Sequence, residues 1–525
     1  MIISYLKDVM RDTGKFKYII SVGGLCVLNI IICLQPYFLS KLVNNEVNYK
    51  CLLFFLISLL IPALINFIKN DLVQATRKSS KRILFLFLES RGYEYYNDYK
   101  SSTLQSLMSE ISFVCRNLVQ ELLPSIVKVA VTVLFYTSLI SGYSLEIGIL
   151  YLLVCLIYMV LSAILTQKNR NDIKKALDST VEVNKSIDDF FKNLDTVFSY
   201  LSFKHELEFF DTRLTCEKNI YYKIQKQIHL VYLLQQVILV FLIGLILYIG
   251  LINFSSFKQQ NLEFILILIY SVLNLSNFGT DFLGGVELKD RLEAALSKLQ
   301  YGNNRDIIKQ NHRLIYDGLD VIFDNISYCY KKLDNEVQVL KDLSCRFEYG
   351  KLTALIGDNG SGKSTVLKLI ADFLIPDKGI IYQPLKTKVL YINQDSVLFN
   401  RSLLDNLGYP HTELTSDQLE TLYSLAKKLE IDNIISPHTD LNVEITGEMT
   451  KSFSGGEKQK ILILRALISD FNIILFDEIT SGLDIKSSST FYQLIKETVS
   501  NKVVICITHR KEELQYFDEI ISLNI

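Results

Sequence analysis

The sequence predicts a multidomain chain in two parts: an all-α transmembrane domain of six helices, then a soluble α/β domain built on a mainly parallel sheet. Three observations predict it. Long, nearly charge-free apolar runs recur up to Thr280 and then stop. Beyond Asp317, short strand-like apolar runs alternate with helical segments, the pattern of a parallel sheet. Within that region, Gly357-Asp358-Asn359-Gly360-Ser361-Gly362-Lys363-Ser364 fits G-x-x-x-x-G-K-[ST], between the apolar run Thr353–Ile356 and the helix-like run Thr365–Ile370. Composition agrees: 49% of the 525 residues are apolar and 21% are charged, below the roughly 25% charged of a soluble protein. A formal charge of -1 gives no basic surface, so no nucleic-acid partner is expected. The nine cysteines are odd in number and scattered, with no pairing spaced for zinc, and read as buried small apolar side chains.

The first apolar run, Tyr18–Ser40, is long enough to cross about 30 Å of hydrocarbon as a helix, and too long for a signal peptide. Further spans are expected at Cys51–Ile68, Val129–Leu145, Ile147–Gln167, Gln227–Phe257 and Phe264–Thr280. The connections at 69–123 and 168–226 are rich in Lys and Arg, whereas the alternate ones are short and nearly free of them. The positive-inside rule then puts both termini and the whole second half in the cytoplasm of a multi-pass cell-membrane protein. Amphipathic patterns in the two long connections predict helices continuing out of the bilayer. The organisation reads as residues 1–300 membrane domain, 301–316 linker and 317–525 nucleotide-binding domain.

Polar residues inside spans must face a partner or a wet cavity. Tyr270, Asn274, Asn277 and Asp281 share one helical face, either lining a pathway or hydrogen-bonding to other helices. Gln35-Pro36 and Gln235-Gln236 are candidates for the same lining, and Lys128 is expected to snorkel.

The phosphate-loop pattern carries its own chemistry. Glycines let backbone N–H groups turn inward around an anion, and a helix N-terminus adds partial positive charge. Lys363 reaches the β- and γ-phosphates while the Ser364 hydroxyl ligates Mg²⁺. The expected ATP contacts are Gly357, Asn359, Gly360, Gly362, Lys363, Ser364 and Thr365. Other polar residues follow the remaining strands: Gln394 after Val389–Ile392, Asp477 and Glu478 after Ile473–Phe476, and His509 after Val503–Ile507. Strand ends of a parallel sheet share one edge, so all can meet one nucleotide. Asp477 is the Mg²⁺ carboxylate, with Gln394 beside it in the metal shell. Glu478 polarises the attacking water, and Gln394 and His509 orient it against the γ-phosphate. Phe453-Ser454-Gly455-Gly456-Glu457 opens a second helix with an anion-ready start, which one ATP does not need and a second copy does.

Taken in order, these motifs resemble the ATP-binding cassette (ABC) transporters, and the whole chain resembles an exporter-type half-transporter. The resemblance implies Walker A at 357–364, a Q-loop at Gln394, a signature at 453–457, Walker B at 473–478, a D-loop Ser481–Asp484 and a switch at His509. It adds Tyr330 as an adenine-stacking aromatic, with a core strand aromatic as the alternative. Tyr95–Asp98 and Phe198–Glu206 stand where the family has coupling helices. It implies two ATPs sandwiched between two half-transporters, with Ser454, Gly455 and Gly456 touching ATP held by the other copy's Lys363. Three departures stand out: Phe453 and Glu457 replace the signature's Leu and Gln, and Gly482 replaces an Ala. A carboxylate beside phosphates predicts reduced activity.

The expected function is ATP-driven export of a small molecule or peptide, by an ATPase using ATP and Mg²⁺ in contact with membrane lipid. Alternatives are an importer on the same fold, such as one for a metal chelate, and an ATP-gated membrane regulator. A homodimer is expected because Glu478 and His509 are both present; a heterodimer is the alternative.

Overall fold

A computed structural model describes the chain except at residues 44–48, 98, 100, 167–169, 254–257, 277, 302–311, 333–334, 386, 412–413, 443–452 and 524–525. It divides into two compact units: Met1–Arg91 with Tyr95–Arg305, and Gly92–Glu94 with Asp306–Ile525.

The first unit is helical. Its helices are α1 (Ile2–Thr13), α2 (Lys15–Cys33), α3 (Gln35–Val43), α4 (Tyr49–Leu59) and α5 (Ile61–Glu89), followed by the short α6 (Tyr93–Asn97), whose first two residues fall in the second unit. Next come α7 (Ser101–Asn117), α8 (Leu123–Tyr143), α9 (Leu145–Thr166) and α10 (Arg170–Lys192), with a π-helical turn, Leu118–Leu122, between α7 and α8. The rest are α11 (Leu194–Ser199), α12 (Phe203–Asn253), α13 (Lys258–Ser276) and α14 (Phe278–Lys298). The stretches 69–89 and 203–226 are continuous with apolar helices, as parts of α5 and the 51-residue α12.

Among the described residues, four helical stretches are long and apolar enough to cross a membrane alone. They are Lys15–Val43, Ser102–Tyr143, Leu145–Ser162 and Phe203–Ile249. The second expected span is a bent pair, α4 and α5, meeting at 43°. Pro62 in the first turn of α5 accounts for the bend, since it cannot donate into the preceding helix. Of the sixth, the described apolar helix covers Glu263–Ser276, and helix is described again from Phe278, with Asn277 between them outside the described residues.

Helical spacing builds the core of this unit. On α8 the buried Val129, Val133, Tyr136 and Ile140 fall on one face, and on α9 Ile147, Tyr151, Val154 and Tyr158 do the same. They pack with Leu239, Ile243 and Ile246 of α12 and Phe264, Ile267 and Leu268 of α13. A second cluster joins Tyr5 and Val9 of α1 to Leu84, Leu107, Ile111 and Leu292. Buried polar groups pair within each: Tyr151 with Ser271 at 2.6 Å in the first cluster, and Tyr5 with Ser80 at 2.8 Å in the second.

Of the polar residues singled out in the spans, Gln35 donates to the Ser58 carbonyl at 3.2 Å and Gln236 to the Ser276 carbonyl. These are interhelical ties. Gln235 and Asn274 are buried, and neither Gln235 amide atom nor Asn274 Nδ2 has a partner among the described residues. Tyr270 and Asp281 are half-buried, and Asn277 lies outside the described residues.

The second unit holds two sheets. Strands β4 (Leu352–Gly357), β6 (Val389–Asn393), β7 (Ile473–Asp477), β8 (Val503–Ile507) and β9 (Glu519–Leu523) form a parallel sheet in the order β6-β7-β8-β4-β9. The other sheet has the order β1-β5-β2-β3, from β1 (Arg313–Tyr316), β2 (Val321–Lys332), β3 (Asn335–Phe347) and β5 (Lys378–Pro384). It is mostly antiparallel and was not foreseen. Its first strand, β1, occupies the end of the segment read as linker, because Arg313–Tyr316 pairs in parallel with Ile381–Pro384.

The central parallel strands β4, β7 and β8 are buried on both faces, as their unbroken apolar runs require. Alternate residues go to opposite sides. Ile474, Phe476, Val504 and Cys506 pack with α17 (Ser416–Lys428), α18 (Gly455–Ile468) and α19 (Ile485–Thr498). Ile473, Leu475, Val503 and Ile505 pack with α15 (Lys363–Ile370) and with Phe323 and Phe347 of the other sheet.

Phe476 is fully buried, edge-on to Phe491 at 5.2 Å. Phe476→Ala is expected to cost about 3–5 kcal/mol through the cavity it leaves, read as a lowered thermal midpoint of the full chain in detergent.

Candidate nucleotide site

The loop after β4 folds as it does because two of its glycines have no alternative. At Gly357 φ is +150°, and a Cβ would lie 2.5 Å from the Leu523 carbonyl oxygen. Gly362, with φ +90°, is the N-cap of α15, and a Cβ there would lie 2.7 Å from a Leu340 methyl. Asp358, Asn359 and Gly360 form the exposed tip, while Ser361, Lys363 and Thr365 are buried. The Lys363 ammonium turns into the loop and donates to the carbonyls of Gly357 and Asp358, both at 2.8 Å. The first-turn N–H groups of α15 have no intrahelical partner, and the buried Ser361 hydroxyl has none among the described residues. A cation, free amides and an unpartnered hydroxyl in one ring suit an anion.

Sheet register brings the other residues to this loop. Asn393 of β6 pairs with Asp477 of β7, Asp477 with Ile507 of β8, and Ile507 with Leu355 of β4. Gln394, Glu478 and His509 therefore leave the same edge as the phosphate loop. Ser364 donates to Asp477 Oδ1 at 3.2 Å, and Tyr391 donates to Oδ2 at 2.7 Å. Burial and the Asp477 carboxylate push the Tyr391 phenol well above its ordinary value, so it stays a donor. Tyr391 was not anticipated as a site residue. It is the diagonal neighbour of Asp477 across β6 and β7, a relation that exists only once their register is known.

Glu478 Oε1 and His509 Nε2 are 2.8 Å apart, both part-exposed. Glu478 has φ +56°, a left-handed backbone that a side chain adopts at a cost of about 1–2 kcal/mol and that recurs at functional sites. Gln394 is exposed in the turn after β6. Tyr330 is half-buried on β2, edge-on to Tyr328 at 5.0 Å, with its hydroxyl 3.4 Å from Thr365 Oγ1. Its ring thus stands beside the start of α15.

A hard cation fits the Ser364–Asp477 pair only if phosphate and water oxygens complete its shell. Among the described residues no group of three or more His, Cys, Asp or Glu side chains could hold a metal unaided.

The second helix start is built differently from the first. Ser454 caps α18 by accepting from the Glu457 N–H at 3.2 Å, and Glu457 reaches back to the Ser454 N–H at 2.7 Å. This is a capping box. The Ser454 N–H bond holds the Glu457 carboxyl below the usual carboxylate range. The departure that looked costly thus satisfies the helix's own amide. Ser454 and Gly455 remain exposed, and Gly456 packs toward the Gly482 carbonyl. A Cβ on Gly482 would meet the side-chain amide of Gln459, the end of a flexible side chain, at 2.7 Å. Asp484 caps α19 through the Ser487 N–H at 2.9 Å.

Comparison with known proteins agrees with this architecture. The family described as ABC transporter matches residues 340–481. A Rickettsia typhi protein named for export ATP-binding and permease functions is 23% identical over 92% of this chain and 85% of its own length. The Kluyveromyces lactis mitochondrial iron-sulfur clusters transporter ATM1 is 31% identical over 49% of this chain and 38% of its own. An Aspergillus fumigatus ABC-type transporter, fsqE, is 32% identical, but the chain spans only 17% of its length. The structure of a bacterial Atm1-family ABC exporter with ATP bound superposes with a TM-score of 0.82 at 19% identity, covering 97% of this chain and 94% of the other. Residues 340–481 thus carry an ABC transporter ATPase domain, and the chain as a whole is similar to exporter-type half-transporters, a helical membrane region followed by that domain.

Proposed function

We propose that this chain couples ATP hydrolysis to export across the cell membrane, working as a pair of copies. The observation that carries the proposal is the convergence, at one sheet edge, of the Lys363 loop, the Ser364–Asp477 contact and the Glu478–His509 pair. Lys363 and the loop amides hold the β- and γ-phosphates, and Tyr330 flanks the base. Ser364 and Asp477, with Gln394 beside them, would hold Mg²⁺, which neutralises charge on the phosphates. Glu478 draws the proton from the attacking water while His509 fixes its carboxylate.

The exposed start of α18 is left for a second ATP. Ser454 and Gly455 face solvent, and a C₂ pair of copies would present them, with Gly456, to the nucleotide on the other's loop. In the first unit, Phe198, Tyr200, Leu201 and Phe203 are 64%, 79%, 89% and 56% exposed. Such an apolar cluster suits docking on a second copy. The Lys- and Arg-rich connections put the ATPase side in the cytoplasm. Accumulation of cargo in lipid vesicles, dependent on ATP and magnesium, tests the whole reading.

Three variants test its parts. Glu478→Gln is expected to keep ATP binding and lose about 10²- to 10⁴-fold in hydrolysis, measured as phosphate release beside nucleotide binding; near wild-type turnover would remove the base. Lys363→Ala removes a charge-assisted contact and should weaken ATP binding by about tenfold or more, read by equilibrium titration. Glu457→Gln closes the same capping box without the charge. Because that charge is already engaged, turnover should stay within about fivefold of wild type, and a larger rise would show that the carboxylate does oppose phosphate.

A further inference from the structure

A buried carboxylate that the proposed chemistry does not use lies behind the site. Glu513, in the 3₁₀ turn Lys511–Tyr516, is 4% exposed. Its Oε2 accepts three hydroxyls: Thr480 at 3.1 Å, Tyr492 at 2.8 Å, and Thr508. Thr480 lies two residues after Glu478, and Thr508 immediately precedes His509. Both segments that carry the carboxylate–imidazole pair are therefore tied to one atom. Its other oxygen, Oε1, has no hydrogen bond among the described residues but faces the Arg510 guanidinium at 3.6 Å. That guanidinium donates in turn to the carbonyls of Leu483 at 3.2 Å and Ser481 at 3.1 Å, and to Ser488 Oγ at 3.3 Å.

A carboxyl group this deep is tolerated only when paired and hydrogen-bonded. Here its partners are not distributed at random. Two of the three hydroxyls belong to the residues flanking Glu478 and His509, and the cation belongs to the residue after His509. Glu478 also holds a left-handed backbone, which persists only where the surroundings over-determine it.

The geometry points to Glu513 as a positioning residue for ATP hydrolysis. It presets the Glu478–His509 contact and, through Arg510, links that contact to the turn Ser481–Asp484. This inference rests on the hydrolytic roles proposed for Glu478 and His509. Because the partners of Glu513 are Thr480, Tyr492, Thr508 and Arg510, none of them among the proposed nucleotide-binding residues, its removal should act on turnover and spare affinity. Tyr492, in α19, supplies an internal control: its hydroxyl reaches the same oxygen but belongs to neither segment.

The test uses the full chain purified in lipid, with Glu513→Gln, Thr508→Val, Thr480→Val and Tyr492→Phe compared for kcat, ATP Kd and thermal midpoint. Glu513→Gln and the two Thr variants are expected to lose about 10- to 100-fold in kcat, the scale of a small misplacement of reacting groups. Their ATP Kd should stay within about threefold, and Tyr492→Phe should keep kcat within about threefold. Equal losses in Tyr492→Phe and Thr508→Val, or parallel losses of kcat and ATP affinity, would mean that the cluster only supports the fold and overturn the inference. Full-rate turnover in Glu513→Gln does the same. If Glu513→Gln fails to fold, the Thr variants decide. A wild type that binds ATP without hydrolysing it overturns the proposed function as well; a hydrolysing wild type with Thr508→Val at full rate overturns only the positioning role.

Discussion

Everything at the nucleotide site depends on the register of four parallel strands. Asn393, Asp477, Ile507 and Leu355 lie in one row across β6, β7, β8 and β4. The residues that follow them therefore emerge together. Both faces of the sheet are buried, Ile474 and Phe476 on one side and Ile473 and Leu475 on the other. A slip of one residue in β7 would exchange those faces and carry Asp477 away from Ser364. The same apolar packing that stabilises the sheet thus sets the positions of the polar groups at its edge.

Polar contacts then refine what the register has placed. The Lys363 ammonium is held among loop carbonyls, Asp477 receives both Ser364 and Tyr391, and Glu478 keeps its left-handed backbone opposite His509. At the start of α18, Glu457 turns back on the Ser454 amide. Side-chain identity alone suggested a charge set against phosphate. The capping box gives that charge a local partner instead, and a glutamine closes such a box equally well.

The membrane half follows a different rule. A spanning segment must satisfy its backbone internally, so long apolar runs are helical whatever their neighbours. Boundaries are less constrained. Pro62 bends one span, where α4 and α5 meet at 43°. Polar side chains divide as well: Gln35 and Gln236 find carbonyls on other helices, while Gln235 is buried without a partner among the described residues.

Local patterns were legible in the amino-acid order by themselves. The phosphate loop, the apolar runs, the alternation of strands and helices, and the polar residue after each strand all lie within a few positions of one another. Spacing of that kind carries its own physics. Contacts between distant segments decided the rest. The mostly antiparallel sheet draws β1 from an apparent linker, because its partner is 68 positions away in sequence, at Ile381–Pro384. Tyr391 meets Asp477, and Glu513 gathers Thr480, Tyr492 and Thr508, only after strands and helices have packed. Periodicity along a chain says which face a residue takes, but not which residue of another segment will stand opposite; that depends on register, and register is a property of the folded whole.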